Sequence, residues 1–199
     1  MSPADTSAAN SATPASSTGT NPASTSPAAT PAVKAKVDVC ALIDDADLKR
    51  VQGEQPKDMQ RSDRVDAGFI VSQCYYSLPT TNNSVVLNVT TKGEGPGARD
   101  PREYWEVTFA SKAEKDEPER KRENKPKAKG EDEEGEAAAR PQKIAGLGED
   151  AYWIANRVGG ALYVLKKDLF FRVSVGGAGD ANAKLKRSRS LAQSVLQRI

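Results

Sequence analysis

The sequence predicts an α+β domain: a mostly antiparallel sheet of about five strands with helices packed on one face, in the order α-β-β-α-β-β-β-α. Three observations carry this reading. Apolar runs of strand length occur as a pair in the middle of the chain and as a set of three near its end. The first pair is joined by the short turn "TTNN", as a hairpin would be. Each set is followed by a segment with apolar residues at helical spacing.

The folded part begins near Val37. In "CALIDDADLKRVQGE", Asp44 is placed to cap a short helix, with Asp45 and Asp47 in its first turn at the positive end of the dipole. Leu48 and Val51 lie three apart on one face, and Gly53 is a natural stop. "GFIVSQCYYSLP" reads as a strand ended by Pro79, and "SVVLNVTT" alternates Val85, Leu87 and Val89 on one face. "DPREYWEVTFA" is a helix with Asp100 as N-cap and Pro101 in the first helical position; Tyr104, Trp105, Thr108 and Phe109 follow at helical spacing. Three more strands are expected in "DAYWIA", "ALYVLKK" and "LFFRVSV", the last placing Leu169, Phe171, Val173 and Val175 on one face. Asp180 then caps a final helix with Leu185, Ser188, Ala192, Val195, Leu196 and Ile199 as its inward stripe. The two halves echo one another as a duplicated unit would, with little residue identity between them.

Two segments stand outside this pattern. Residues 1–36 read as a disordered tether, since 1–33 are almost wholly Ala, Ser, Thr and Pro and carry Asp5 as their only charge. Nothing there has enough apolar surface to offset the entropy of ordering. Within the single domain expected at 37–199, residues 112–140 read as a disordered charged insert, with 9 basic and 10 acidic side chains and no apolar residue larger than Ala. The remaining residues, about 135, carry nearly all the large apolar side chains, enough for one core.

Composition narrows the function classes. A net charge of +2 does not by itself imply a nucleic-acid or membrane partner, and no nucleic-acid partner is assigned. No window approaches the roughly 20 apolar residues of a transmembrane span. Met1 leads into small polar residues with no signal-peptide pattern. The chain contains no histidine, so Ser-His and Cys-His pairs and histidine metal ligation are excluded.

"IAGLGEDAYWI" raises the question of a phosphate cradle. A dinucleotide loop needs a strand before its glycines and a helix after them; here a charged segment precedes and a strand follows. Gly146 and Gly148 are therefore assigned to a structural turn, with Leu147 plugging inward and the Trp153 ring in the core. "GGAGDAN" at 176–182 leaves too little chain for the rest of a βαβ unit. Asp44, Asp45 and Asp47 suit helix capping better than a weak Ca²⁺ site. Tyr75, Tyr76, Tyr104, Trp105, Tyr152 and Trp153 have the makings of a ligand groove, but paired aromatics of this kind are usually core. No catalytic, cofactor-binding or metal-binding residue is assigned, and no cofactor is expected.

Cys40 and Cys74 are the informative pair. In an exported protein they would form a disulfide closing a loop of about 34 residues, worth roughly 3.5–4 kcal/mol by chain entropy. In a reducing cytosol they would be two buried thiols. Their even number and the tether favour the bond. They are not spaced C-x-x-C, which argues against a redox role.

The cysteine leading into "ALIDDADLKRVQG", the second in "SQCYYSL", and then "IAGLGEDAYWI" and "ALYVLKKDLFFRVSVGG" before a closing helix resemble a group of small exported bacterial lipoproteins known only as domains of unknown function. The resemblance covers most of 38–199 apart from the insert. It implies an extracytoplasmic location, a Cys40–Cys74 disulfide and an α+β fold; it supplies no catalytic residues. The lipid-attachment signal of that group is not in this sequence. The expected function is a non-enzymatic cell-envelope domain binding a protein, a cell-wall component or a small apolar partner, with membrane tethering through a lipid anchor as an associated expectation. The alternatives are a soluble cytoplasmic accessory protein without a disulfide and an enzyme of unidentified chemistry.

Overall fold

Backbone pairing organises the chain into one seven-stranded antiparallel sheet in the computed structural model, which describes residues 37–80, 82–110, 140–157 and 159–199. All of these fall in one unit, Val33–Ile199. The tether at 1–36 and the insert at 112–140, apart from Arg140, lie outside the described residues. A 3-10 turn, Val39–Leu42, leads into helix α1, Asp45–Gln52. Strands β1 (Asp58–Asp66), β2 (Phe69–Ser77) and β3 (Val85–Lys92) follow, then helix α2 (Pro101–Trp105), continued by a π turn over Glu106–Ala110. The second half has β4 (Gln142–Lys143), β5 (Asp150–Asn156), β6 (Gly159–Lys166), β7 (Leu169–Val175) and helix α3 (Ala181–Arg198). Spatial order across the sheet is β1-β2-β3-β7-β6-β5-β4, so the last strand of each half meets at the centre.

One face of this sheet is covered and carries the main core. Val85, Leu87 and Val89 of β3, Phe171 and Val173 of β7, Leu162 and Val164 of β6, and Trp153 of β5 pack beneath Leu191, Ala192 and Val195 of α3. Fully burying each large apolar side chain contributes about 1.5–3 kcal/mol. The caps sit where the side-chain chemistry places them: Asp44 accepts from the Asp47 amide at 2.8 Å and Asp180 from the Ala183 amide at 2.8 Å.

A polar clasp joins α1 to α3. The buried Asp47 carboxylate accepts from Arg50, Ser194 and Arg198, while Arg198 also reaches Asp44. Burial works against the Asp47 charge, but the hydrogen bonds from Ser194, Arg198 and Arg50 outweigh it and lower the pKa to about 2. Cys40 and Cys74 are joined in a disulfide that fastens the 3-10 turn to β2, with Cα atoms 5.3 Å apart. The Tyr76 hydroxyl donates to the carbonyls of Val39 and Cys40 in that same turn, and burial pushes its phenol above the ordinary value.

The α+β class and the antiparallel sheet agree with the sequence reading; three details are corrected. The sheet has seven strands rather than about five. Of the two added, β4 is only two residues long, and β1 is exposed along almost its entire length, so neither shows an apolar period. β1 forms because all nine of its residues pair with β2 across a tight turn at Ala67 and Gly68. Their φ values of 47° and 86° suit the twist of a two-residue hairpin. Second, the helices are not all on one face: α2 lies opposite α1 and α3, because Trp105 and Phe109 pack on Tyr152, Leu165 and Phe170. The halves thus repeat an order of elements but not their placement. Third, the centre of the α3 stripe is Ser188, Leu191, Ala192 and Val195, with Leu185, Leu196 and Ile199 at its half-buried margins.

Candidate functional site

Part of the opposite sheet face is covered by no described residue. Strand register sets two adjacent rows across it. One runs Arg64, Val71, Thr90, Phe170 and Leu165, and the next runs Gln73, Asn88, Arg172, Tyr163 and Tyr152. Helix α2 and its π turn lie over this face, with Trp105 and Phe109 on Tyr152, Leu165 and Phe170 and with Tyr104 reaching Phe69 of β2. The result is a cavity of about 320 Å³ floored by β2, β3 and β7 and walled by Arg64 and Asp66 of β1, Tyr163 of β6, Arg99 and Tyr104.

Local chemistry fixes the walls. Asp100 caps α2 by accepting from the Arg102 amide at 2.8 Å. The Arg102 side chain donates to Glu149 and, at 3.0 Å, to the Lys167 carbonyl, which anchors α2 to the far end of the sheet. Trp105 Nε1 donates to Asp150 at 3.1 Å. An aromatic run then continues from this anchor into the cavity: Trp105 lies 5.9 Å from Phe170, Phe170 is stacked on Tyr104 at 5.8 Å, and Tyr104 meets Phe69 edge-on at 5.4 Å. Arg99 is brought over these rings by the loop before α2. Its amide and that of Gly93 both donate to the Gly68 carbonyl at 3.0 Å. A side chain at Gly68 would overlap the Gly97 carbonyl, so this contact needs glycine there.

The electrostatics of the cavity are one-sided. Arg64 lies 3.8 Å from Asp66. Arg99 and Arg172 have no carboxylate partner among the described residues. Arg99 lies over the rings of Phe69 and Tyr104, 5.1 and 5.3 Å from their centroids, and Arg172 over Tyr163 at 5.9 Å. Among the described residues, the Asn88 side-chain oxygen beneath the cavity is buried without a hydrogen-bond partner, and so is the Ser174 hydroxyl, two residues along β7 from Arg172.

Apart from Tyr104, the residues singled out by sequence lie elsewhere. Cys40 and Cys74 are on the covered face. Gly146 and Gly148 form the turn before β5, with φ of 75° and 57°, and Leu147 between them is buried in the main core. A side chain at Gly148 would overlap the Leu165 carbonyl oxygen, and the Glu149 amide donates to that same oxygen at 2.9 Å. The chain packs closely against this turn. Asp44 and Asp47 are engaged in capping and in the Arg198 clasp. Of the aromatic residues, Tyr76 and Trp153 belong to the main core, Trp105 and Tyr152 to the smaller cluster under α2, and Tyr104 lines the cavity. Sequence reasoning missed Arg64, Arg99 and Arg172. Arg172 carried a signal, as the single charge within the strand "LFFRVSV", on the side opposite Phe171 and Val173.

No group of three or more His, Cys, Asp or Glu side chains converges as a metal site among the described residues, and no helix among them is long and apolar enough to cross a membrane. Fold and site together define an α+β domain with a small, guanidinium-rich cavity on an antiparallel sheet. Comparison with protein-family models, with curated proteins and with solved structures gave no match.

Proposed function

We propose that this chain is a non-enzymatic, disulfide-locked binding domain of the cell envelope that holds a small ligand against the open face of its sheet. The observation that carries this reading is the cavity, floored by the sheet and lined by Arg99 and Arg172, which have no carboxylate partner among the described residues. Ligand sites are typically concave, mostly apolar, and supplied with a few convergent polar groups. The disulfide supports an oxidising compartment, because such bonds persist outside the cytosol and are rare within it. The resemblance to small exported lipoproteins points the same way, and attachment to a membrane through a lipid anchor belongs to this proposal.

The test is to recover the chain from its native host under acid quench, label free thiols, fractionate the cells and weigh the intact protein by native mass spectrometry. The expected outcome is an envelope-fraction protein with both cysteines protected and a small molecule bound. A cytosolic protein with two labelled thiols would overturn the reading in favour of a cytoplasmic accessory protein.

A further inference from the structure

We propose that the open-face cavity binds a small oxyanion carried on a flat ring, an aryl carboxylate, sulfonate or phosphate. This rests on the reading of the cavity as a binding site and adds the chemistry of its occupant.

Charge sets the first requirement. The cavity brings Arg64, Arg99 and Arg172 together with a single acid, Asp66, leaving an excess of two positive charges. Arg64 is close to that acid, so Arg99 and Arg172 are the two left to meet a ligand. Both guanidiniums already lie against rings, Arg99 on Phe69 and Tyr104 and Arg172 on Tyr163. Their orientations are therefore restrained before any ligand arrives, and less side-chain freedom is lost on binding. A guanidinium presents its N–H groups as a planar fork that matches an oxyanion better than a neutral acceptor.

The walls set the second requirement. Phe69, Val71 and Phe170 are buried apolar residues that line the cavity beside the arginines. A bare inorganic anion would satisfy the guanidiniums and make no contact with these apolar groups. A ring laid against them answers both. The volume of about 320 Å³ lies at the lower end of the roughly 300–1,000 Å³ usual for ligand pockets, which suits one or two fused rings rather than a polymer.

The experiment uses the full chain and two matched fluorescent probes. 8-Anilinonaphthalene-1-sulfonate has the flat rings, the N–H and the oxyanion; N-phenyl-1-naphthylamine has the same rings and N–H without the sulfonate. The sulfonate is expected to bind saturably, one per chain, at least about tenfold more tightly than the neutral probe, and more weakly as salt is raised. Arg99→Gln and Arg172→Gln should each weaken the sulfonate by about fivefold or more and leave the neutral probe unchanged. Arg99 sits on an exposed loop, so its variant keeps the test informative even if Arg172→Gln folds poorly. Near-UV circular dichroism checks both variants. Equal affinity for the two probes, sulfonate binding indifferent to Arg99→Gln, or no saturable sulfonate binding would overturn the proposal. Inorganic phosphate competing as tightly as the sulfonate would overturn the ring requirement. These outcomes are separable from the proposed function. A cytosolic location would defeat the envelope reading and leave the cavity chemistry intact. An envelope protein carrying an uncharged small molecule would do the reverse.

Discussion

The two faces of one sheet, built from alternate residues of the same strands, differ in what they require of their side chains. On β7, Phe171 and Val173 are fully buried beneath α3, whereas Arg172 between them is half-exposed and stands over Tyr163. On β3, Leu87 and Val89 belong to the core, whereas Asn88 between them has a buried side-chain oxygen without a hydrogen-bond partner among the described residues. The covered face is closed by α1, α3, the disulfide and the Asp47 clasp. The open half of the other face carries Arg64, Arg99 and Arg172 beside its apolar groups, charges that stabilise a fold poorly and recognise a ligand well. A fold that places its stabilising contacts on one side leaves the other free to specialise.

Substitutions on the covered side should therefore cost the most stability. Trp153→Ala, which empties the site of a ring that is 3% exposed, is expected to lose about 3–5 kcal/mol in urea unfolding. Replacing Cys40 and Cys74 together with alanine reopens a loop of sequence separation 34. That should lose about 3.5–4 kcal/mol, read as a lower denaturation midpoint that reductant no longer shifts.

The Asp47 clasp gives a smaller effect with a pH signature. Its folded-state pKa is depressed to about 2 from the ordinary 3.8. The clasp's contribution is thus fully present above about pH 4 and is lost as pH falls through about 2. Asp47→Asn should cost about 1.5–3 kcal/mol near neutrality, and its stability should converge on that of the wild type as pH is lowered from 4 to 2. Gly148→Val, which adds a clash with Leu165 to a strained left-handed backbone, should cost about 1–3 kcal/mol in the same assay.

Much of the covered face was legible in the sequence because its signals are local. Asp44, Asp100 and Asp180 announce helix starts at their own positions. Phe171, Val173 and Val175 show the period of a strand, and Leu147 between two glycines shows an inward plug. The Cys40–Cys74 pairing is long-range, but with two cysteines in the chain only one internal partner was available to each. The open face was not legible. β1 has the sequence "DMQRSDRVD", with no apolar alternation, and owes its existence to pairing with β2 and to the turn at Ala67 and Gly68. The cavity draws its arginines from β1, from a glycine-rich loop and from β7, and their convergence depends on β3 meeting β7 at the sheet centre. That neighbour relation joins the two halves of the chain, and hydrophobic periodicity within either half says nothing about it.

The most direct test of this division of labour uses two adjacent residues of β7 that point to opposite faces. Phe171→Ala and Arg172→Gln should be compared by urea unfolding under identical conditions. Phe171→Ala is expected to lose about 3–5 kcal/mol and Arg172→Gln to remain within about 0.5 kcal/mol of the wild type. A loss of more than about 2 kcal/mol for Arg172→Gln would mean that the open face holds the fold together, and the account of it as the binding face would be contradicted.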